Sequence, residues 1–332
     1  MAENLRRVYE KSTVDLSLVK ELLQAGEKYA VLIHRHPDGD AVCSGVAVAR
    51  VLRALGKTAR ICCADEVPAY LQALCPETVE TDPCFSDDEI LVSVDVAESM
   101  LFGSLAERIA KQGVYLKLDH HRTGSDFAKY NMVDPDASAA GEIVYRLALS
   151  LGITDTETML ACYGAIASDT GGFRYANATA GAFEAAGAMR KMGLCFEDVN
   201  SVLFESKDYR TLAATSYGVG KTVFRFDGKV AVFAVSRAEM DEMGFEDENL
   251  SELPSALREI RGVHMSVVMR EEKERGHYRI STRSDKYGDC IALCSAFGGG
   301  GHLRAAGATI AADDKESAIA AVLQELAKQF AG

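Results

Sequence analysis

Four short, nearly unbroken apolar runs, residues 29–33, 58–63, 90–94 and 114–118, alternate with helical periodicity over the first part of the chain. Strands of that composition are apolar on both faces, the pattern of a parallel sheet covered by helices on either side. The intervening helices are predicted over 16–24, 41–55 (closed by Gly56) and 104–112. Strand, loop and helix in that order begin a βαβ unit. The N-terminal part is therefore expected to be a parallel-sheet α/β domain with helices on both faces. Ligands of such open sheets bind outside the carboxyl ends of the strands.

Polar residues that carry chemistry are concentrated at those ends. His34, Arg35, His36, Pro37, Asp38, Gly39 and Asp40 follow the first run, Asp95 ends the third, and Asp119, His120 and His121 follow the fourth. Asp169 stands after a predicted helix over 157–167 and before Thr170, Gly171 and Gly172. A lone aspartate at a strand end is more often a helix cap or turn former than a ligand. Capping preferences do not explain the whole set. Carboxylates and imidazoles without a nearby thiolate pair suit Mn or Mg better than structural zinc. A centre of two metal ions needs about six protein ligands, with carboxylates shared between the ions. His34, Asp38, Asp40, Asp95, His120 and Asp169 supply that number. His36 lies two residues from His34, so spacing alone leaves their roles interchangeable.

Charge limits the partners. Asp and Glu total 49 against 36 Lys and Arg, a formal net charge of -13, and such a surface repels a long polyanion. A short or monomeric phosphate compound is the easier nucleic-acid ligand. No run is long enough to span a bilayer, and early charges at Glu3, Arg6 and Arg7 disfavour a secretory leader. Nine irregularly spaced cysteines without a CxxC pair fit a reducing cytoplasm. Cys290 and Cys294 could share a helix face, where small core residues are the simpler reading.

From 139 to about 209 the chain turns helical and alanine-rich, with helices expected over 141–150, 157–167, 180–192 and 199–204. A connecting helix over 208–220 then leads to two alternating runs separated by Asp227 and Gly228, a strong hairpin signal. Further strands over 263–269 and 278–282 and a final helix over 315–330 complete a smaller mixed-sheet α/β domain. The expected organisation is a metal-binding domain over 1–195, a helical linker over 196–221 and a second domain over 222–332. Within the latter, Phe297, Gly298, Gly299, Gly300, Gly301 and His302 form a glycine run whose bare backbone N–H groups can cradle a phosphate. Nearby Arg304 is open to a phosphate-binding or a solvent-facing role.

In this order the motifs resemble the DHH phosphoesterases, and the glycine-histidine segment resembles the DHHA1 domain that usually accompanies them. The resemblance runs over nearly the whole chain. It implies that His34 and Asp38 bind one Mn ion, that Asp40 and His120 bind the other, and that Asp95 and Asp169 lie near or between the two. It also implies that His121 faces the scissile phosphate, that Asp119 orients the histidine pair, and that Arg283, in the segment Ile280, Ser281, Thr282, Arg283 and Ser284, binds substrate with Gly299, Gly300, Gly301 and His302. His121, Asp95 and Asp169 are thus the expected catalytic residues. Two departures are visible: Ala139 and Ala140 stand where the family often has hydroxyl residues, and Arg304 stands beside the glycine loop, open to phosphate or base selection or to a solvent-facing role.

The expected activity is hydrolysis of a phosphate ester by in-line attack of a metal-activated water, with two Mn ions, Mg or Co being substitutes. The stand-alone, two-domain format looks most like the family's bifunctional oligoribonucleases and pAp phosphatases, which act on very short RNA and adenosine 3',5'-bisphosphate. A soluble cyclic di-AMP phosphodiesterase is the main alternative. A non-hydrolytic nucleotide sensor is another, and a manganese pyrophosphatase ranks lower because it lacks the glycine-histidine segment. Members of the resembled family are often dimers, which leaves a homodimer open; no membrane partner is expected.

Overall fold

The computed structural model describes residues 12–273 and 276–330; Glu3, Arg6 and Arg7 lie outside the described residues. The chain divides into two compact units, Met1–Ser206 and Lys207–Gly332. In the first, seven strands form one parallel sheet: β1 (Ser12–Thr13), β2 (Lys28–Leu32), β3 (Thr58–Cys62), β4 (Val79–Glu80), β5 (Glu89–Val94), β6 (Leu116–Asp119) and β7 (Tyr130–Val133). Their order is β1-β7-β6-β5-β2-β3-β4. The helices are α1 (Leu16–Leu22), α2 (Gly39–Ala54), α3 (Ala106–Gln112), α4 (Ala140–Ser150), α5 (Thr156–Asp169), α6 (Ala180–Lys191) and α7 (Glu197–Asn200).

Side chains alternate across the strands and fill two cores. Tyr29, Val31, Val92, Val94, Leu116 and Leu118 face the core formed with α2, α4 and α5. Ala30, Leu32 and Leu91 face the opposite way, onto Phe102, Leu105 and Ile109. Each fully buried valine or leucine contributes about 1.5–3 kcal/mol, which is why the strands are apolar on both sides. The direction of winding reverses in the middle of the sheet. After β2 the chain crosses to β3 on one side, and after β5 it continues to β6 on the other. A crevice therefore opens between the carboxyl ends of β2 and β5, where such sheets bind ligands.

The second unit carries α8 (Tyr209–Lys221), β8 (Val223–Arg225), β9 (Val230–Val235), α9 (Arg237–Met243), α10 (Leu253–Arg258), β10 (Met265–Glu271), β11 (His277–Ser284), α11 (Cys290–Ser295), β12 (Gly300–His302), β13 (Ala305–Ala311) and α12 (Lys315–Phe330). Its sheet runs β12-β13-β11-β10-β9-β8. It is mixed, because β9 and β10 are parallel while the other neighbours are antiparallel. Phe226, Asp227 and Gly228 adopt positive φ in the β8–β9 hairpin, as the Asp-Gly signal requires. The stretch 196–221 is shared out between the units: Val199 packs into the core of the first and Ala214 of α8 into a core of the second.

Two features were not legible beforehand. β7 extends the sheet past β6 because its buried Asn131 is satisfied locally, its amide donating to Ala128 O at 2.9 Å and its carbonyl accepting from Ala128 N at 3.2 Å. Part of the glycine run is strand rather than open loop, since Gly300, Gly301 and His302 pair with β13. A Cβ on Gly299 would lie 2.2 Å from Gly307 O, so close backbone approach demands glycine there.

Candidate active site

The loop after β2 delivers the first group of side chains. His34 Nδ1 donates to Arg35 O at 2.8 Å, which turns Nε2 toward Asp38 Oδ1 at 3.8 Å and Asp95 Oδ2 at 3.6 Å. Asp38 caps α2, accepting from Ala41 N at 3.0 Å, so a cap and a candidate ligand are the same residue. Asp40, in the first turn of that helix, is fixed from another element: its carboxylate accepts from Ala140 N at 2.8 Å and Gly141 N at 3.2 Å. These are the first amides of α4, where unsatisfied N–H groups attract negative charge. Glycines let the helices meet. A Cβ on Gly39 would lie 2.2 Å from Ser168 Oγ, and one on Gly141 2.2 Å from Ala165 Cβ.

Asp95 follows β5 directly, with φ of 59°, a left-handed conformation that aspartate tolerates better than most residues. It caps no helix. Its side chain is buried, and Oδ1 has no hydrogen-bond partner. His120, after β6, faces the same carboxylate. Its Nδ1 donates to Ala137 O at 3.3 Å, leaving Nε2 3.6 Å from Asp95 Oδ1, 3.7 Å from Asp40 Oδ2 and 3.8 Å from Asp169 Oδ2. Asp169 comes from the last turn of α5 and accepts from Asn177 Nδ2 at 3.1 Å.

The candidate ligands therefore assemble as overlapping groups: His34, Asp38 and Asp95; Asp40, His120 and Asp169; and Asp95, His120 and His121. Within each group the donor atoms lie within 4.8 Å of one another. Separations of 3.6–3.8 Å are too long for hydrogen bonds and suit atoms that share a cation with bonds of about 2.0–2.2 Å. Asp95 belongs to two groups that otherwise share no residue, one oxygen toward His34 and the other toward His120.

Charge gives the same answer. The carboxyls of Asp38, Asp40, Asp95 and Asp169 converge with the imidazoles of His34 and His120, and if all four were ionised two divalent cations would balance them. Burial, then the charges of Asp95, Asp169 and Asp38, holds Asp40 well above the usual carboxylate range. Burial also lifts Asp169, and with Asp95 and Asp38 pushes it up to about 6 despite the nearby histidines. Burial opposes protonation of His34, but Asp38 and Asp95 outweigh it and raise the ring to about 11. Crowded carboxylates that recruit protons in this way are a site built for a stronger positive charge. The hard oxygen and imidazole donors fit Mn or Mg.

The Asp119-His120-His121 segment divides its work. Asp119 Oδ1 accepts from His121 Nδ1 at 2.7 Å and from the amides of His120 at 2.9 Å and His121 at 3.3 Å. Burial works against its charge, yet the bond from His121 and the ammonium of Lys117 hold it down at about 2. Burial likewise opposes protonation of His121, and Asp119 and Asp95 raise it nonetheless. His36 stands apart, its ring largely exposed and 3.0 Å from Asp65 Oδ2. The backbone places the two rings differently: φ of 52° at His36 breaks the extended alternation that would have put both on one side.

Sequence reasoning missed Asn177, because nothing in Ala176-Asn177-Ala178 marks a contact with Asp169. It also missed Glu142, whose Oε2 accepts from Ser138 N at 2.9 Å and Ser138 Oγ at 2.8 Å. Glu142 thereby shapes the start of α4, which holds Asp40. The signal available was Ser138 followed at close range by an acid.

In the second unit, Arg283 Nη1 donates to Thr282 O at 3.0 Å. The sheet register places Arg283, Ala305 and His302 in one row across β11, β13 and β12. Gly300 and Gly301 lie in β12 and Gly299 immediately before it. Arg304 is occupied structurally: its Nη1 donates to Gly288 O at 2.7 Å and also to Asp285 O, tying down the turn after β11.

Residues 28–167 match the DHH family, N-terminal domain, and residues 227–328 match the DHHA1 domain. The chain is 30% identical over 329 residues to the bifunctional oligoribonuclease and PAP phosphatase NrnA of Thermus thermophilus, covering 98% of this chain and 96% of that protein. The chain belongs to the DHH family. A Bacillus subtilis protein bearing the same NrnA description is 24% identical over 316 residues, covering 93% of this chain and 98% of its own. Among solved structures, an exopolyphosphatase-related protein from Bacteroides fragilis shares the fold with a TM-score of 0.87 at 20% identity, over 96% of this chain and 97% of that one. As a DHH protein with a DHHA1 domain, the chain is a phosphoesterase, and the carboxylate and imidazole groups described above are where a metal-dependent hydrolase of this kind can hold its ions.

Proposed function

We propose that this phosphoesterase uses two Mn ions to hydrolyse short oligoribonucleotides and adenosine 3',5'-bisphosphate. The observation that carries the reading is Asp95, whose two carboxylate oxygens face His34 and His120 from between the two ligand groups. His34, Asp38 and Asp95 would hold one ion, and Asp40, His120 and Asp169 the other, with Asp95 shared. When bound, such a pair supplies an acidified water as nucleophile and neutralises charge on the phosphoryl oxygens.

The chain's own residues do the rest. Asp119 fixes the ring of His121 through Nδ1, and Nε2 is the nitrogen we assign to the substrate. There it hydrogen-bonds the phosphoryl group or protonates the leaving oxygen. Asp119 and Asp95 raise the proton affinity of His121 against the opposing effect of burial, the direction that suits a proton donor. Arg283, Gly299, Gly300, Gly301 and His302 are assigned to the phosphate or terminal nucleotide that is not cleaved, Arg283 offering a planar fork suited to phosphate. Arg304 supports that region through the turn it anchors.

Two observations favour short substrates: the two relatives are described as acting on oligoribonucleotides and PAP, and the net charge of -13 opposes binding of long polyanions. The test is release of product from 5'-pApA, pAp, cyclic di-AMP and pyrophosphate by the purified protein with Mn. Turnover of pApA and pAp is expected. Preference for cyclic di-AMP moves the substrate to cyclic dinucleotides, preference for pyrophosphate overturns the class, and tight binding without turnover makes the chain a sensor.

A further inference from the structure

Position 117 breaks the rule of its strand. Leu116 and Leu118 face the core, yet Lys117 between them is only 1% exposed. A buried ammonium costs several kcal/mol unless it is paired and hydrogen-bonded. Lys117 is both. Its Nζ lies 3.0 Å from Asp119 Oδ2, donates to Ala97 O and Ser125 O at 3.1 Å each, and stands 4.9 Å from the centre of the Phe127 ring. Residues 117 and 119 share a strand face, which brings the lysine directly under the DHH aspartate.

The three acceptors belong to the segments that build the active site. Ala97 is two residues beyond Asp95, and Ser125 is four residues beyond His121. Asp119 spends Oδ1 on the His120 and His121 amides and the His121 ring, so Oδ2 is the oxygen that answers to Lys117. The same two loops are stitched a second time, by Ser125 N donating to Ala97 O at 3.1 Å and Ser125 Oγ donating to Glu98 Oε2 at 2.5 Å.

We infer that Lys117 is a positioning residue: a buried brace that ties the Asp95 turn to the DHH segment and holds Asp119 in the rotamer that grips His121 Nδ1. The inference rests on the phosphoesterase reading for its effect on turnover, but not for its effect on the His121 ring. An apolar side chain at 117 would fill the space and leave the buried Asp119 Oδ2 without its cation. Asp119 would then turn, and His121 would lose its orienting bond.

The experiment combines Lys117→Met, Lys117→Arg, Asp119→Asn and the double variant Lys117→Met/Asp119→Asn. In metal-free, 15N-histidine-labelled protein at fixed pH, the hydrogen-bonded Nδ1–H of His121 is assigned by its absence in His121→Ala. Wild type and Lys117→Arg are expected to show it, and Lys117→Met to lose it. With Mn and pAp, Lys117→Met is expected to lower kcat about 10- to 100-fold, as loss of partners behind metal-site groups does, with KM changed less than about threefold. If Lys117 acts through Asp119, adding Lys117→Met to Asp119→Asn costs less than about threefold more. A His121 signal that persists in Lys117→Met, or losses that multiply in the double variant, overturn the inference. Should Lys117→Met fail to fold, the double variant, in which neither member of the pair is charged, carries the comparison with Asp119→Asn: similar kcat supports the brace and a further tenfold loss refutes it. Absence of wild-type turnover on every phosphate ester would sink the functional reading instead, while the His121 signal still decides the role of Lys117.

Discussion

Replacing Asp169 by asparagine should stabilise the metal-free protein while removing most of its response to metal. The folded state holds the Asp169 proton more tightly than the unfolded chain, because burial and the neighbouring Asp95 and Asp38 push its carboxyl from 3.8 to about 6. A raised carboxyl favours the fold at low pH, and that contribution is lost as the pH rises through about 6. At pH 7.5 the difference of about two pH units corresponds to roughly 3 kcal/mol of repulsion stored in the native state. The side chain is 31% exposed, so solvent screening lowers the figure to about 1–3 kcal/mol. Asparagine is nearly isosteric and its carbonyl can still accept from Asn177 Nδ2. The variant should melt roughly 2–12 °C higher than wild type in chelator at pH 7.5, taking about 2–4 °C per kcal/mol for a unit of this size. The gain should shrink below about pH 6 and be mostly gone by about pH 4. Wild type in Mn at about a hundred times its Kd should gain about 2.7 kcal/mol, the variant much less. Differential scanning calorimetry reads all of this. Equal or lower melting of the metal-free variant at pH 7.5 would show that the carboxylates are not in repulsion and refute the electrostatic reasoning.

Other outcomes follow from the same geometry. Asp95→Ala should abolish hydrolysis by orders of magnitude in a protein whose far-ultraviolet circular dichroism is unchanged; near-normal activity would reduce Asp95 to a turn residue. His36→Ala should leave kcat/KM within about twofold of wild type, since its ring pairs with Asp65, and a hundredfold loss would mean that His34 and His36 exchange roles in solution. Arg283→Ala and His302→Ala should each raise KM for pAp about tenfold or more with Mn affinity unchanged by calorimetric titration. Unchanged KM in both would remove substrate binding from that row of the second sheet.

What the sequence disclosed and what it hid have separate physical causes. The strands β2, β3, β5 and β6 were legible because burial on both faces demands largely apolar runs, and the polar residues ending them stood out against those runs. Asp38 and Asp40 sat in a recognisable helix start. The second strand of the glycine segment was hidden, since glycine is read as loop, whereas here it permits β12 and β13 to approach. β7 was hidden by a polar residue whose partners are three residues away. Lys117, Glu142 and Asn177 act on the site through contacts made across the fold or around a turn, and such contacts leave no periodic mark in the chain.

The most direct measurement is anomalous diffraction at the manganese edge from crystals of the Mn-loaded protein. Two peaks are predicted, one among His34, Asp38 and Asp95 and the other among Asp40, His120 and Asp169, with the Asp95 carboxylate reaching both. A single peak, peaks elsewhere, or an Asp95 side chain bound to neither would contradict the dinuclear centre on which the proposed hydrolysis depends.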